Sequence, residues 1–221
     1  MDIIKYDIYN SPNIGIYTNV NDDFVFVPNG LSAIKSKKLS EYLQTDLLIT
    51  SVANTRLLGI LMVVNNHGIL LPRTSSEDEL EMLKKRTDLN IEVIDVKYNA
   101  LGIMMSVNDK GGIVSPSLPK ESIKQITDAV DIEVIQKKIA GFHQVGAVMA
   151  ASPTGGIVHP ETDEEDIKII KNILRVNIEP STINGGIPFL SSGILANSKS
   201  MVVGKLTNGP EIMMLTRAFI N

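Results

Sequence analysis

The chain has no cysteine, no tryptophan and only three histidines. Each absence excludes some chemistry. Without cysteine there is no disulfide framework, no thiol nucleophile and no zinc–thiolate site. Three His are too few for most imidazole-rich metal clusters, and no apolar run approaches the length of a membrane span. Positive charge is also in short supply: 21 Lys and Arg stand against 25 Asp and Glu, a formal net charge of -4. A protein that holds nucleic acid mainly by neutralising phosphates carries the opposite excess. The opening MDIIKYDIYN has acids at Asp2 and Asp7 and lacks a basic leader with an apolar stretch. No signal peptide is expected, and the default compartment is the cytosol. What the chain does have is 43% hydrophobic and 21% charged residues over a length of 221, enough to bury a large core as one domain or two small ones.

Internal repetition is the strongest pattern. A small residue, five mostly apolar residues, Asn or a substitute, a polar pair, Gly or a substitute and an apolar run ending in Pro recur through the chain. The copies are 15–28 (GIYTNVNDDFVFVP), 59–72 (GILMVVNNHGILLP), 102–116 (GIMMSVNDKGGIVSP), 146–160 (GAVMAASPTGGIVHP) and, more weakly, 191–204 (SSGILANSKSMVVG). The starts at 15, 59, 102, 146 and 191 are separated by 44, 43, 44 and 45 residues. Such a regular step is the mark of stacked supersecondary units.

Each phrase reads as a β-hairpin. In the second copy, 60–64 and 69–71 are short β-formers around Asn65-Asn66-His67-Gly68, where the Gly is suited to a positive φ. The first and fifth copies carry Phe24 and Ser200 instead of that Gly, which predicts less regular turns there. A helix follows each hairpin. Ser76 with Glu79, Thr162 with Glu165 and Asn208 with Glu211 have capping-box spacing, and Pro119 stands near the start of a third-repeat helix. The acidic stretches 77–81 and 161–166 coincide with helix starts, where carboxylates suit the positive end of the dipole. Further strands are predicted at 46–52, 90–96, 131–139 and 176–182. The fifth helix ends the chain, and the N-terminal segment 3–9 can supply the missing strand. Five β-β-α-β units of about 44 residues, closed into one domain spanning 1–221, account for the whole sequence. An open stack would need distinct capping repeats, and none is evident.

The phrases SVANTRLLGILMVVNNHGILLP (51–72), ALGIMMSVNDKGGIVSP (100–116), VGAVMAASPTGGIVHP (145–160) and ANSKSMVVGKLTNGPE (196–211) resemble the translation initiation factor 6 family in its archaeal form. The resemblance covers essentially the whole chain. It implies an α/β fold of the pentein type: a five-bladed β/α propeller with pseudo-fivefold symmetry, helices outside and strands around a central channel. It also implies a protein that binds the large ribosomal subunit, mainly on a ribosomal protein near the sarcin–ricin loop with minor contact to rRNA, and keeps the small subunit from joining. No catalysis, cofactor, metal, DNA or membrane belongs to that role, and a closed ring needs no second copy. Penteins also include amidine-processing enzymes built on a Cys nucleophile, and their chemistry is unavailable to a chain without cysteine. A non-cysteine enzyme or small-ligand module using the central channel is the alternative.

By resemblance, the partner-facing side is the rim formed by the loops 9–14, 54–58, 97–101, 141–145 and 184–190. Its candidate residues are Asn10, Asn13, Thr55, Arg56, Tyr98, Asn99, Ile103, His143, Gln144 and Asn184. Arg56 matches a basic position of the family, and guanidinium groups are frequent anchors at interfaces. Tyr98 either anchors in a partner pocket or caps the end of the barrel. Ile103 departs from the family, many of whose members have Asn there. Lys205 and Leu206 replace a frequent Gly-Asp pair, and Asn184-Gly185-Gly186 lacks the basic residue usual in the middle. The histidines 67, 143 and 159 lie in different repeats without ligand spacing and read as surface or turn residues. The nine Met read as core filler. The pairs Gly111-Gly112 and Gly155-Gly156 precede strands and lack a Lys-Ser/Thr ending, so they are turns and not phosphate loops.

Overall fold

The computed structural model describes residues 1–220. The chain opens with strand β1 (Ile3–Tyr6) and then runs through five similar units. The first contains α1 (Ile14–Tyr17), β2 (Asn19–Val20), β3 (Phe24–Pro28), α2 (Ala33–Leu43) and β4 (Asp46–Thr50). The second contains α3 (Leu58–Leu61), β5 (Val63–Val64), β6 (Gly68–Pro72), α4 (Glu77–Arg86) and β7 (Asn90–Ile94). The third has α5 (Leu101–Met104), β8 (Met105–Val107), β9 (Gly112–Val114), α6 (Lys120–Val130) and β10 (Val134–Gln136). In the fourth, a turn at 145–147 leads to β11 (Met149–Ala151), β12 (Gly155–Val158), α7 (Glu164–Leu174) and β13 (Asn177–Pro180). The fifth begins with a 3-10 turn (Leu190–Gly193) and continues through β14 (Ile194–Ala196), β15 (Met201–Gly204) and α8 (Gly209–Phe219).

These strands make five three-stranded sheets of one design. A hairpin pairs antiparallel, and the strand after the helix adds in parallel to the hairpin's second strand, as β4 does on β3 and β7 on β6. In the fifth sheet the third place is taken by β1, which pairs in parallel with β15 from Ile3↔Met201 to Tyr6↔Gly204. The core lies between units as much as within them. Phe26, Leu48 and Val52 of the first unit pack with Leu58, Leu71 and Leu83 of the second, and Leu195 and Val202 of the fifth pack with Val25, Leu39 and Leu43 of the first. A single unit therefore cannot bury its own apolar surface.

Why each unit begins with a small residue is a matter of backbone contact. The stretch expected as the first hairpin strand is instead a four-residue helical turn in the first three units, so in the second the strand shrinks to Val63–Val64. These turns pack backbone to backbone around the centre. A Cβ on Gly59 would overlap the carbonyl oxygen of Gly15, one on Gly102 that of Gly59, one on Gly146 that of Gly102, and one on Gly15 that of Ser191.

The hairpin turns differ from expectation in a second way. Gly68, Gly111 and Gly155 are not at positive φ. They are small because the carbonyl of the next unit's helix end presses on them: Ala129 on Gly68, Ile173 on Gly111 and Ala218 on Gly155. The turns with Phe24 and Ser200 are as regular as the others. In all five, the residue before the polar pair donates the same closing bond, from Asn21 N to Phe24 O at 3.0 Å through Asn197 N to Ser200 O at 3.1 Å. Regularity comes from a buried Asn at positions 21, 65, 108 and 197, whose Oδ1 accepts from the backbone N–H groups of the second and third residues after it.

The same four amides bind the units to one another. Asn21 Nδ2 donates to Asn65 O, Asn65 to Asn108 O and Val130 O, and Asn108 to Ser152 O and Leu174 O. Asn197 donates to Asn21 O and Leu43 O, linking the fifth unit to the first. Val130, Leu174 and Leu43 close their helices, so three of these side chains also satisfy helix C-terminal carbonyls. Ser152 holds the equivalent place in the fourth unit and reaches only Thr154.

Two capping boxes form as their spacing predicts, Ser76–Glu79 and Asn208–Glu211. The third does not: Asp163, one residue later than Thr162, is the N-cap of α7 and accepts from Asp166 N at 2.7 Å. An ionised side chain is the better acceptor at that end of a helix. Among the methionines, 62, 104, 105, 149 and 201 are buried, but Met213 is exposed on α8 and is not core filler.

Candidate functional site

Parallel pairing of the last two strands in each sheet decides what shares an edge of the molecule. The strand that enters a rim loop and the strand that enters a helix end at the same side. The five inter-unit loops and the five helix N-termini therefore form one rim, and the Asn hairpin turns form the other. His67 lies exposed on the Asn-turn side.

Four of the five loops on the first rim are tight, bridged turns. Ile8↔Ser11, Val52↔Thr55 and Ile139↔Phe142 are bridged across two-residue turns, and both central residues have positive φ: Tyr9 and Asn10, Ala53 and Asn54, Ala140 and Gly141. That is the type I′ arrangement, favoured by Asn and Gly in its centre. The fifth loop is bridged Ile183↔Ile187 over Asn184, Gly185 and Gly186, all at positive φ. The third loop has no such bridge.

Two carboxylates hold the turns of the second and fifth loops in place. Glu79 accepts from Ser76 N at 3.0 Å to complete its capping box and also from Ser51 Oγ at 2.7 Å, Ala53 N at 2.9 Å and Asn54 N at 2.9 Å. Glu211 does the same in the fifth unit, taking Asn208 N, Thr182 Oγ1, Gly185 N and Gly186 N. Burial raises the pKa of both groups, but the hydrogen bonds outweigh it and hold each carboxyl below its ordinary value of 4.5. A group lowered in the folded state stabilises it fully above 4.5 and loses that contribution as pH falls through the lower, folded value. Glu79→Gln is therefore expected to cost about 1–2 kcal/mol near neutral pH. Urea titrations at neutral pH and at a pH below the folded value should show the difference between the two proteins vanish in acid. A gap that stays constant with pH would mean the charge of Glu79 is not what the loop uses.

The ten expected rim residues fall into three groups. Asn10, Thr55 and Arg56 belong to the first two loops. Arg56 is exposed, its guanidinium carbon 5.7 Å from the centre of the Tyr9 ring, and no carboxylate pairs with it among the described residues. Thr55 is used within its turn, donating to Val52 O and accepting from Leu57 N. Asn13 and Asn184 meet where the fifth loop adjoins the first. Asn184 is buried, and its Nδ2 donates to Pro12 O at 3.1 Å and Asn13 Oδ1 at 3.4 Å, so its amide is occupied inside the protein. Tyr98, Asn99, Ile103, His143 and Gln144 line a single groove between the third and fourth loops, together with Lys97, Ser117 and Phe142. Tyr98 and Ile103 pack their inner sides on the core, His143 Nδ1 lies 2.7 Å from Ser117 Oγ, and Asn99 Oδ1 is buried without a partner.

His159 is a turn residue, its carbonyl accepting from Thr162 N at 3.0 Å, but it does not lie at the surface. It is buried, its ring tilted against that of Phe142 with centroids 5.2 Å apart, and its Nδ1 accepts from Glu161 N. Composition gave no sign of the exposed apolar side chains on the same rim: Tyr9, Leu57, Ile187 and Phe189, with Phe189 set edge-on to Phe142 at 6.2 Å. The Asn and Gly that close the loop turns were the available signal, since they mark rigid hairpins that can present a neighbour outward. Lys205 has a structural use, pairing with Asp7 at 3.1 Å while Lys35 binds the other oxygen. Those two cations hold the Asp7 carboxyl below its ordinary value. Leu206 beside it is exposed.

The centre is lined by equivalent residues of all five units. On the loop side these are Gly15, Gly59, Gly102, Gly146 and Ser191 with apolar neighbours, and the polar side chains are Thr18, Asn19, Ser106 and Ser191. No Asp, Glu, His, Lys or Arg lines that part. At the other mouth, Asp22 and Asp109 are tied to Asn66 Nδ2. No group of three or more His, Asp or Glu able to hold a metal occurs among the described residues, and no helix is long and apolar enough to cross a membrane.

Comparison with known proteins finds matches over nearly the whole chain. The family model for the eIF-6 family matches residues 3–218. Translation initiation factor 6 of Cenarchaeum symbiosum is 60% identical over 219 residues, 99% of each chain. The protein of that name from Nitrosopumilus maritimus is 55% identical over 221 residues, the whole of both, and that from Staphylothermus marinus is 36% identical over 220, covering 98% of this chain and 97% of the relative. A match this long and this even, on top of five repeats that share one sheet design, shows that the chain belongs to the eIF-6 family.

Proposed function

We propose that the chain is a closed five-bladed β/α propeller of the pentein kind, a single domain that binds the large (50S) ribosomal subunit and sterically prevents the small (30S) subunit from joining. The role is non-enzymatic, in translation initiation and ribosome biogenesis, and is carried out in the cytoplasm by a monomer without cofactor. One rim docks mainly on a ribosomal protein near the sarcin–ricin loop, with minor rRNA contact, and the body of the ring occupies space that an intersubunit contact needs. The observation that carries this reading is the loop rim itself. Its second and fifth turns are fixed by buried carboxylates, and it presents the unpaired Arg56 with exposed Tyr9, Leu57, Ile187 and Phe189. Preorganised loops lower the entropic cost of docking, and aromatic and Arg anchors are the side chains that dominate such interfaces. A catalytic alternative would require acids or His converging on the channel, and its loop-side lining supplies none.

Co-sedimentation with purified large and small subunits, followed by a subunit-joining assay, tests the proposal. Binding to the large subunit alone and inhibition of joining are expected. Arg56→Ala is expected to weaken binding about tenfold with the melting transition nearly unchanged, because the side chain is exposed and unpaired. Tyr98→Ala should also weaken binding, with some loss of stability because its inner side packs on the core. No sedimentation with the large subunit would remove the proposal altogether. Loss of stability without loss of affinity in Arg56→Ala would move the docking face elsewhere.

A further inference from the structure

We propose that Asn29 is a site of spontaneous deamidation whose product places a new carboxylate beside Arg56. Three Asn-Gly pairs occur in the chain: Asn29-Gly30, Asn184-Gly185 and Asn208-Gly209. Glycine after Asn leaves its backbone nitrogen unhindered. After losing its proton to solvent base, that nitrogen attacks Cγ of the asparagine. The Cγ–Nδ2 bond then breaks, ammonia leaves and a five-membered succinimide remains. Water from the solvent adds to either imide carbonyl and gives aspartate or isoaspartate. The net change is amide plus water to acid plus ammonia, with no oxidant or reductant.

The structure separates the three pairs. Asn184 is buried with its Nδ2 on Pro12 O and Asn13 Oδ1, and Gly185 N donates to both oxygens of Glu211 at 3.1 and 3.0 Å. Neither the nucleophile nor the electrophile is free. Asn208 is the N-cap of α8: its Oδ1 accepts from Glu211 N at 3.0 Å and its own N donates to Glu211 Oε2 at 2.8 Å, so cyclisation would undo a capping box. Asn29 carries neither restraint. It and Gly30 are exposed, and among the described residues neither the Asn29 side chain nor Gly30 N has a hydrogen-bond partner. Only the turn itself is closed, by Asn29 N to Thr50 O at 3.0 Å and Leu31 N to Pro28 O at 3.2 Å.

Position gives the modification its consequence. A Cβ on Gly30 would lie 3.1 Å from Arg56 Nη2, so the guanidinium rests on this turn. A carboxylate at residue 29 would give Arg56 the acidic partner it lacks and add one negative charge to the rim. Weaker docking by the deamidated form rests on the rim reading given above; the modification does not.

Peptide mapping by mass spectrometry of the intact, folded protein held in mildly alkaline buffer is the test, with an unfolded sample in denaturant alongside. In the folded protein, the amide-to-acid mass gain should accumulate at Asn29 several times faster than at Asn184 or Asn208, and all three should convert at similar rates once unfolded. Asn29→Gln should abolish the fast site, because its larger ring closes far more slowly. If folded Asn29 stays amide while the unfolded chain converts, or if Asn184 and Asn208 keep pace with it, the proposal is overturned. Asn29→Asp, sedimented with large subunits beside the wild type, reads the consequence: several-fold weaker binding is expected. Equal binding of both would overturn the link to Arg56, whereas no binding by the wild type would count against the rim and not against the modification.

Discussion

Gly59→Ala is expected to destabilise the protein by about 4 kcal/mol or more and to leave much of the chain unfolded at ordinary temperature. The added Cβ would overlap the Gly15 carbonyl oxygen and lie 2.7 Å from that of Thr18. Both obstacles are backbone, so no side chain can swing aside. Both belong to the preceding unit, and Gly15 itself rests on Ser191 while Gly102 rests on Gly59. Relief at one seam compresses the next, because interiors at close-packed density transmit strain. Conformational freedom is not the cause, for Gly59 is not at positive φ. Gly209→Ala is the matched control: nothing lies within 4 Å of a Cβ there, and the change should be within experimental error of neutral. Urea unfolding followed by far-UV circular dichroism separates the two. A Gly59→Ala protein with the wild-type midpoint would show that the units do not meet backbone to backbone at the centre.

Asn108→Ala is expected to cost about 3 kcal/mol, the second largest effect. Asn108 is 2% exposed and makes four hydrogen bonds, accepting from Lys110 N and Gly111 N and donating to Ser152 O and Leu174 O. Truncation strands two donors and two acceptors where water has little access, and it loosens the turn, the seam to the fourth unit and the end of α7 together. The fourth unit supplies the reverse experiment. Among the described residues Ser152 makes no bond to the fifth unit, so Ser152→Asn should raise stability by about 1 kcal/mol by adding the missing link. If Asn108→Ala loses less than a surface Asn→Ala control, the buried amides are not what joins the units.

Much of the architecture was legible in the sequence because its causes are local or periodic. The 44-residue step, the alternation of strand and helix, and the boxes Ser76–Glu79 and Asn208–Glu211 all depend on residues close in the chain. Errors arose where a residue answers to a distant partner. Gly68 has the look of a turn glycine, yet it is small because Ala129 O abuts it. Phe24 and Ser200 suggested irregular turns, but the turns are set by Asn21 and Asn197. His159 has the polarity of a surface residue and is buried against Phe142. The rim was legible only as a set of loops. Tyr98, Asn99, Ile103, His143 and Gln144 converge because neighbouring units bring two loops together, whereas Asn184 turns inward to Pro12.

The sequence by itself determined the number of units, the order of elements in each, and the exclusion of thiol chemistry, since composition and spacing need no coordinates. It also carried enough motif similarity to indicate the family. Only the tertiary structure decided what the repeated small residues and asparagines are for, because both act between units: the glycines admit a neighbouring carbonyl, and the amides satisfy carbonyls up to 176 residues away. It likewise decided that the capping carboxylates Glu79 and Glu211 also hold the rim loops, a task invisible at capping-box spacing. Sequence periodicity reports the faces of a strand or helix. Which backbone groups of other units those faces must satisfy is fixed only when the units pack on one another.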